Sequence, residues 1–593
     1  MKPSRPLNRS VRPQPTRNRP SPSWLVPAIL AVATILGLLL QLHALSSYLI
    51  YPDSYQNLVV ADNLRHSGQL TAQLGRGGMV YPQFFAWTHP LYPLLILLVG
   101  ATGLSLITSA HLVAVAAGTA TILAAYGLVA SVLQSRRAGL AAAVLLAISY
   151  DRAIWGGFVL TEPLNLLMVT LALWQLWRRR QTTSTWLKPQ DLFGRTFLSG
   201  DFLTGLLLAA AILTRYENAL IVLPALLWSS APRPAGRRVA AIAATTAIFT
   251  LVPLAILHPW GGSWSQWWAQ TWPQLSGYLP LAVAAVSVAL LITAASFSDL
   301  FTRLTWKRWA PRTTSAGLLL AAIILLIHPH AYLGLWEFCT HDPLIAILAL
   351  AGFITMLRHP RQQSAAAFAL LTATLLAAVY YHTNPTMDRY LAHLLPLLII
   401  PAAAALGAAS TKLTTLPTTW RGPATAVAAI ALILAASGQT AITYVGLHHR
   451  QQGLWFEPGY EAVAAQEVAQ LASPSTIIVT ATPEPYRLYT TAAVQNVSAS
   501  NPSLQITGRR SQTLLIVQDA SLRYTTPKFS HFVTTKLAAY RIASFANALP
   551  YRYVTTTVYG QNPVMVYRVT LGQLQCIISQ ANLTGGATCR SNS

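Results

Sequence analysis

Acidic side chains are scarce in this sequence: 16 Asp and Glu among 593 residues, against 40 Lys and Arg. All charged residues together make up 9% of the chain, where a soluble domain carries about 25%, so an ordinary water-soluble enzyme is excluded. Cysteine is rarer still, and three of them cannot staple a small disulfide-built fold. No glycine-rich phosphate loop of the Walker or Rossmann type occurs, and no HExxH-like metal spacing does. What the chain has instead is apolar: 53% of its residues are hydrophobic. They gather in blocks of roughly 20 over the first three-quarters of the sequence, the pattern of a polytopic membrane protein. The net charge of +24 is explained by where the basic residues sit, and no nucleic-acid partner is expected.

Residues 1–23 carry Lys2, Arg5, Arg9, Arg12, Arg17 and Arg19, several prolines and no acid. Such a segment reads as a disordered tail held in the cytoplasm by the positive-inside rule. Trp24 to Tyr48 is too long for a signal-peptide core and lacks a small-residue cleavage site, so it reads as a retained first span. Basic clusters then recur at Arg136-Arg137, Arg178-Arg179-Arg180, Arg233 with Arg237-Arg238, Lys307-Arg308, Arg358 with Arg361, and Lys412 with Arg421. If all are cytoplasmic, an even number of crossings separates neighbouring clusters. That parity makes Leu91–Ile107 interfacial or re-entrant before a span at His111–Leu133. It also splits Ala138–Trp177 and Phe202–Trp228 into pairs of short spans, the second pair turning at Thr214–Asn218. Further spans are expected at Val239–Leu257, Leu279–Phe297, Ala316–Ile327, Pro343–Leu357, Ser364–Tyr380, Tyr390–Ala409 and Thr425–Tyr444. The total is about thirteen transmembrane helices, an odd number, which puts the C-terminus outside. The expected organisation is thus a polytopic α-helical membrane domain over 24–445, with a first outer loop at 51–90, and an extracytoplasmic α/β domain over 446–593.

In that last part, Tyr460–Leu471 has helical periodicity, Thr476–Thr480 and Thr513–Val517 read as buried strands, and Val554–Tyr559 with Val564–Val569 alternate like a hairpin. Cys576 and Cys589 flank a short loop that could hold a disulfide outside the cytoplasm.

Most acids of the membrane region fall on one side. Asp53, Asp62, Asp151, Glu162, Glu217, Glu337, Asp342 and Asp388 are outer by this topology, and only Asp191, Asp201 and Asp299 inner. The positive-inside rule does not sort acids, so carboxylates gathered at one face suggest chemistry there. Asp53, just past the first span, is placed to take a proton from an acceptor hydroxyl or to cap the next helix. Glu162 is an acid at the start of a membrane helix, a functional candidate by default, or a partner of the helix dipole. Arg215 and Arg389 lie at the outer face against the charge trend. Each could hold a phosphate through paired hydrogen bonds or pair locally with Glu217 or Asp388. His89, His258, His328, His330 and His341 near outer ends are residue types that ligate a divalent metal together with carboxylates. Trp260, Trp264, Trp267, Trp268 and Trp272 form an aromatic run at a membrane end, as an interfacial belt does.

Taken in order, these elements resemble the membrane-integral GT-C glycosyltransferases, the class that includes protein O-mannosyltransferases and the lipid A aminoarabinose transferase. Asp53 follows the first span. His89-Pro90-Leu91-Tyr92-Pro93 looks like the proline-rich end of the first outer loop, and Leu160–Leu164 like the second acidic motif. Leu213-Thr214-Arg215 looks like a charged turn between short helices, and Arg389-Tyr390-Leu391 like the late Arg-Tyr element. Many members carry paired acids in the first loop, whereas Ser54 follows Asp53 here. The resemblance implies transfer of a hexosyl or pentosyl group from a polyprenyl-phosphate donor to a lipid, glycan or protein acceptor, at the outer face of the plasma membrane. It implies Asp53 and Glu162 as catalytic groups, Arg389, Arg215 and Tyr390 around the donor phosphate, and Tyr55 and His89 against substrate. A divalent metal would fall to Asp53, His89 and Glu162. The alternative class, a transporter or flippase of lipid-linked saccharides, would show a polar mid-membrane pathway and related halves; the sequence shows no internal repeat.

Overall fold

In a computed structural model, the described residues are 24–45, 52–68, 89–181, 200–229, 236–257, 338–359, 362–383, 392–452, 458–481, 483–497, 509–518, 527–545 and 564–582, with Leu70, Trp336 and Leu522. The tail at 1–23, the Trp260–Trp272 run, the spans expected at Leu279–Phe297 and Ala316–Ile327, and the Arg389-Tyr390 pair lie outside them.

The first part is all helix: α1 (Leu25–Leu45), α2 (Pro52–Ser67), α3 (Leu91–Gly100), α4 (Leu106–Leu133), α5 (Arg136–Ala147), α6 (Tyr150–Gly157), α7 (Glu162–Gln181), α8 (Gly200–Thr214), α9 (Ala219–Ser229) and α10 (Gly236–Leu257). After a gap come α11 (Pro343–Arg358), α12 (Gln363–Thr383), α13 (Leu395–Thr415) and α14 (Thr418–Gln452). Their ends follow local chemistry. Pro52 and Pro343 open α2 and α11, where a missing N–H costs nothing. Gln134, left-handed at φ 53°, ends α4, and Ser135 at once caps α5 by accepting from Ala138 N. Ser149 repeats the device for α6, whose axis bends 57° from that of α5.

Among the described residues four helices, α1, α4, α13 and α14, are long and apolar enough to cross a membrane, or five spans if bent α5–α6 counts as one. α3 has 10 residues, about 15 Å at the helical rise, too short to span, in line with the interfacial expectation. The following helix starts at Leu106 rather than His111, because Ser105 accepts from Thr108 N and caps it there. α4 and α13 are the buried centre, while only 6% of the apolar stretch of α14 is covered. Val427, Ile430, Ile433 and Leu434 on α14, and Val32, Ile35 and Leu39 on α1, are exposed. An apolar exterior on helices whose own hydrogen bonds are closed is what a bilayer solvates; this is an integral membrane protein. Between α11 and α13 the helices touch at Gly352, where a side chain would collide with the backbone of Pro401, the close approach that small residues permit.

The C-terminal part is α/β. α15 (Pro458–Leu471), β1 (Ile477–Thr480), α16 (Pro483–Tyr489), β2 (Ala493–Asn496), β3 (Thr513–Gln518), α17 (Pro527–Lys536), β4 (Arg541–Phe545), β5 (Val564–Thr570) and α18 (Leu571–Asn582) build one five-stranded sheet of order β2-β1-β3-β5-β4. β1 pairs parallel with β2 and β3, whereas β5 runs antiparallel between β3 and β4. β5 thus pairs on both sides, with β3 and with β4; Val554–Tyr559, expected to alternate with it like a hairpin, lies outside the described residues. Both sheet faces are covered: Ile478, Leu515 and Val517 pack with α15, and Ile477, Leu514 and Ile516 with Val533 and Leu574. This explains the unbroken apolar runs of β1 and β3. Cys576 on α18 is in a disulfide and Cys339 is free. Leu488 of α16 joins Tyr55 and Leu58 of α2 in one buried cluster, which seats the sheet's helix on α2.

Candidate active site

α7 and α8 end in a shared polar cluster. Glu162 opens α7 and is 2% exposed; Arg215 follows α8 and is 5% exposed. Arg215 Nη1 lies 2.9 Å from Glu162 Oε1, and its Nη2 lies 3.1 Å from Glu217 Oε1. Glu217 belongs to a 3-10 turn, Tyr216–Asn218, that links α8 to α9. One guanidinium thus bridges two carboxylates. Burial would raise the Glu217 pKa, but Arg215 beside it, then His89 and hydrogen bonds, outweigh this and hold it down at about 2. The ring of His89 lies 4.9 Å from that of Tyr216, so the residue just before α3 meets the charged turn.

Amides extend the cluster. Asn165, one turn along α7 from Glu162, donates to His393 Nδ1 at 2.6 Å and accepts from Asn218. Asn218 also donates to the Ala211 carbonyl at 2.7 Å. His393 is the middle of a 3-10 turn at 392–394 that leads into α13. Glu217 Oε2 and Asn218 Oδ1 are buried acceptors that take no hydrogen bond among the described residues.

A second acidic centre lies where α5 breaks into α6. Asp342 accepts from Ser149 Oγ at 2.7 Å, Tyr150 N at 2.8 Å, Gln439 Nε2 at 3.0 Å and Asp151 N at 3.3 Å. It therefore caps α6 from the residue before α11 and fastens it to α14. His341 Nδ1 lies 3.0 Å from Asp151 Oδ1. Fully buried Arg152 donates to the carbonyls of Gly37, Leu146 and Ala147 and to Gln41, closing the end of α5. These contacts account for Asp151, Arg152 and Asp342 as structural groups.

Height in the bundle follows from the helical rise: Glu162 stands about 24 Å from Arg178 along α7, and His393 about 28 Å from Lys412 along α13. The cluster therefore sits at the helix ends opposite the basic clusters.

The other expected residues fare differently. Asp53 is the second residue of α2, and its side chain lies outside the described residues, as do Arg389 and Tyr390. Tyr55, expected against substrate, is instead fully buried with Leu58, Tyr92 and Ile96; an aromatic ring followed by an apolar face on α2 is drawn into packing. Tyr92 ties α3 to α4 by donating to the Ala110 carbonyl at 3.0 Å. Among the described residues no three His, Cys, Asp or Glu side chains gather as a metal site. Glu162 already faces Arg215, which competes with a metal for its carboxylate. Asn165, Asn218 and His393 gave no sequence signal beyond Asn165 lying one turn from Glu162 and Asn218 adjoining Glu217.

No protein-family model and no curated protein sequence matches the chain. Solved structures do. The archaeal oligosaccharyltransferase AglB from Archaeoglobus fulgidus, in complex with an inhibitory peptide and a dolichol-phosphate, aligns over 93% of this chain and 77% of its own at 13% identity, with a TM-score of 0.56. ArnT from Cupriavidus metallidurans bound to undecaprenyl phosphate aligns over 92% and 98% at 13% identity, with a TM-score of 0.53. The chain has the GT-C glycosyltransferase fold. An oligosaccharyltransferase of A. fulgidus in complex with Zn and sulfate aligns with a TM-score of 0.55 at 15% identity.

Proposed function

We propose that the protein is a membrane glycosyltransferase that moves a sugar from a polyprenyl-phosphate donor to an acceptor hydroxyl at the extracytoplasmic face. The observation that carries this reading is the buried Glu162–Arg215–Glu217 cluster, in a fold whose relatives hold dolichol-phosphate and undecaprenyl phosphate. In this reading residues 24–445 form the membrane domain, the N-terminus is cytoplasmic, and 446–593 lie outside the plasma membrane.

Asp53 takes the acceptor proton while the acceptor oxygen bonds to the anomeric carbon. The bond from that carbon to the phosphate oxygen breaks, its electron pair leaves with the phosphate, and polyprenyl phosphate is released. Negative charge grows on the departing phosphate, so a preorganised cation there lowers the barrier. Arg389, with Tyr390 beside it, is the first choice for that cation. Arg215 is second, because both ends of its fork already meet carboxylates; its main work is to fix Glu162 and Glu217 for contacts to the sugar, next to His89. A divalent metal would fall to Asp53 and His89 with Glu162, whose carboxylate already meets Arg215; the steps above are carried by side chains of this chain. The acceptor, whether lipid, glycan or protein, and a hexose or pentose donor are set by an assay.

The test is sugar transfer by purified protein supplied with a panel of polyprenyl-phosphate hexoses and pentoses and lipid, glycan and peptide acceptors. Release of polyprenyl phosphate coupled to a glycosylated acceptor is expected. Movement of intact lipid-linked saccharide across a vesicle bilayer, with no bond broken, would replace the enzyme by a flippase.

A further inference from the structure

We infer that the turn after α8 recognises the hydroxyls of an uncharged sugar and discriminates against an anionic one, with Glu217 Oε2 and Asn218 Oδ1 as the atoms that receive the sugar's O–H groups. The inference rests on the glycosyltransferase reading for the lipid that presents the sugar.

The cluster is built as two rungs on one side of α7. Glu162 and Asn165 lie three residues apart and so share a face of that helix. Their partners Arg215 and Asn218 are likewise three residues apart. Each rung leaves one oxygen over. Arg215 Nη2 meets Glu217 Oε1 at 3.1 Å, and Glu217 Oε2, itself buried, takes no hydrogen bond among the described residues. The second oxygen is identified by its neighbours. Asn218 reaches between α7 and α8, where the Ala211 carbonyl can only accept, so the Asn218 atom 2.7 Å away is its NH2. The same NH2 serves Asn165. Oδ1 is therefore the prong turned from both, and it takes no hydrogen bond among the described residues although Asn218 is 1% exposed. A buried acceptor left unmet is costly, and native proteins keep few of them. Two on consecutive residues mark a place where a ligand supplies the protons.

Sign restricts what that ligand is. Both oxygens only accept, and Glu162, Arg215 and Glu217 together carry two negative charges against one positive. The fork of Arg215 is taken up by the two carboxylates, so it offers no paired donors to an incoming anion. A hydroxyl brings the proton these oxygens lack. A phosphate or a sugar carboxylate brings like charge and no proton, and is rejected. The rings of His89 and Tyr216, both partly exposed, stand 4.9 Å apart beside these oxygens in the chain. Aromatic walls with a few fixed polar atoms are the usual seat of a small polar ring.

The test is binding to the detergent-purified protein at pH 8, above the ordinary imidazole range. The probes are undecaprenyl phosphate alone and the same lipid carrying glucose, xylose or glucuronic acid, which differ only at the sixth carbon. Glucosyl and xylosyl lipids should bind more tightly than the bare lipid. The glucuronosyl lipid should bind roughly 10- to 100-fold more weakly than the glucosyl one, the scale of a hydrogen bond involving a charged group. Glu217→Gln balances the charges and should bring the glucosyl and glucuronosyl affinities together. Glu217→Asp keeps the charge but withdraws the oxygen by one methylene, so it should weaken glucosyl binding and still disfavour the glucuronosyl lipid. Asn218→Ala should weaken both neutral sugars. Unaltered binding of bare undecaprenyl phosphate shows that each variant is folded. Equal wild-type affinities for the glucosyl and glucuronosyl lipids, or wild-type discrimination retained in Glu217→Gln, would overturn the sugar site alone. A wild type that binds none of the four lipids and transfers no sugar would overturn the glycosyltransferase reading itself.

Discussion

Arg215 Nη1 lies 2.9 Å from Glu162 Oε1, 53 residues away in sequence, and the contact ties the first turn of α7 to the turn after α8. Both groups are out of water. A pair buried in this way adds little net stability over an apolar substitute, yet removing one partner strands the other charge, at a cost of about 3–5 kcal/mol.

Arg215→Met alone should therefore lower the melting temperature of the detergent-purified protein more than the double variant Arg215→Met, Glu162→Gln, in which the stranded acid is neutralised. Glu217 keeps one charge in both backgrounds, so the difference isolates Glu162. A double variant less stable than Arg215→Met would show that Glu162 is held mainly by something else.

Glu217 gives a pH dependence of defined sign. Its folded pKa is about 2, against an ordinary value of 4.5. A depressed carboxylate adds stability that is complete above the unfolded value and is lost as pH falls through the folded one. Wild type should thus be more stable than Glu217→Gln by the same margin at pH 7 and pH 5.5, and the margin should close between pH 4.5 and about 2. Thermal melts across that series check it; a margin already gone at pH 5.5 contradicts the assignment.

The sequence showed the break at Thr214–Asn218 because five polar or charged residues interrupt an apolar run that is too long for one span. It likewise showed the strands of the C-terminal part, since β1 and β3 are buried on both faces and read as continuous apolar blocks. It did not show that β5 lies inside the sheet: pairing partners far apart in sequence leave no periodic trace. Asp342 was expected at the outer face, but its role as a cap of α6 was not legible, because its donors come from residues about 190 positions away. Asn165 and Asn218 were invisible for a similar reason. A single amide in an apolar helix means nothing until the fold sets it beside another.

Charge placement makes a separate prediction about sidedness. Lys412 and Arg421 flank the start of α14, whose apolar stretch runs to Leu447. Reporter fusions at Lys412 and at Gly453 should report opposite sides of the membrane, the first cytoplasmic. The same side for both would remove the basis for an outer active site.

Arg389 is expected to meet the leaving phosphate. A guanidinium offers two parallel donors to phosphate oxygens, which an ammonium cannot reproduce. Arg389→Lys should then lose transfer about 10²–10³-fold, the scale seen when one transition-state donor is removed, while acceptor affinity is kept. Unchanged transfer in Arg389→Ala would pass the role to Arg215.

Asp53 carries the last and most direct prediction. An acceptor hydroxyl is a weak nucleophile at neutral pH, and help from a positioned base is typically worth about 10²–10⁴-fold. Asp53 is also the second residue of α2, where an acid favours the positive end of the helix dipole, so a loss of function could reflect a frayed helix. Asp53→Asn separates the two. Asn keeps the size and an acceptor oxygen and supports a helix start about as well, but it has no basicity. The expected variant is folded, membrane-inserted, unaltered in undecaprenyl phosphate binding, and slower in transfer by roughly that factor. If Asp53→Asn transfers at the wild-type rate while Glu162→Gln is inactive, the base is Glu162. If neither change slows transfer, proton abstraction by a carboxylate at this face is not the limiting chemistry, and the base must be sought elsewhere.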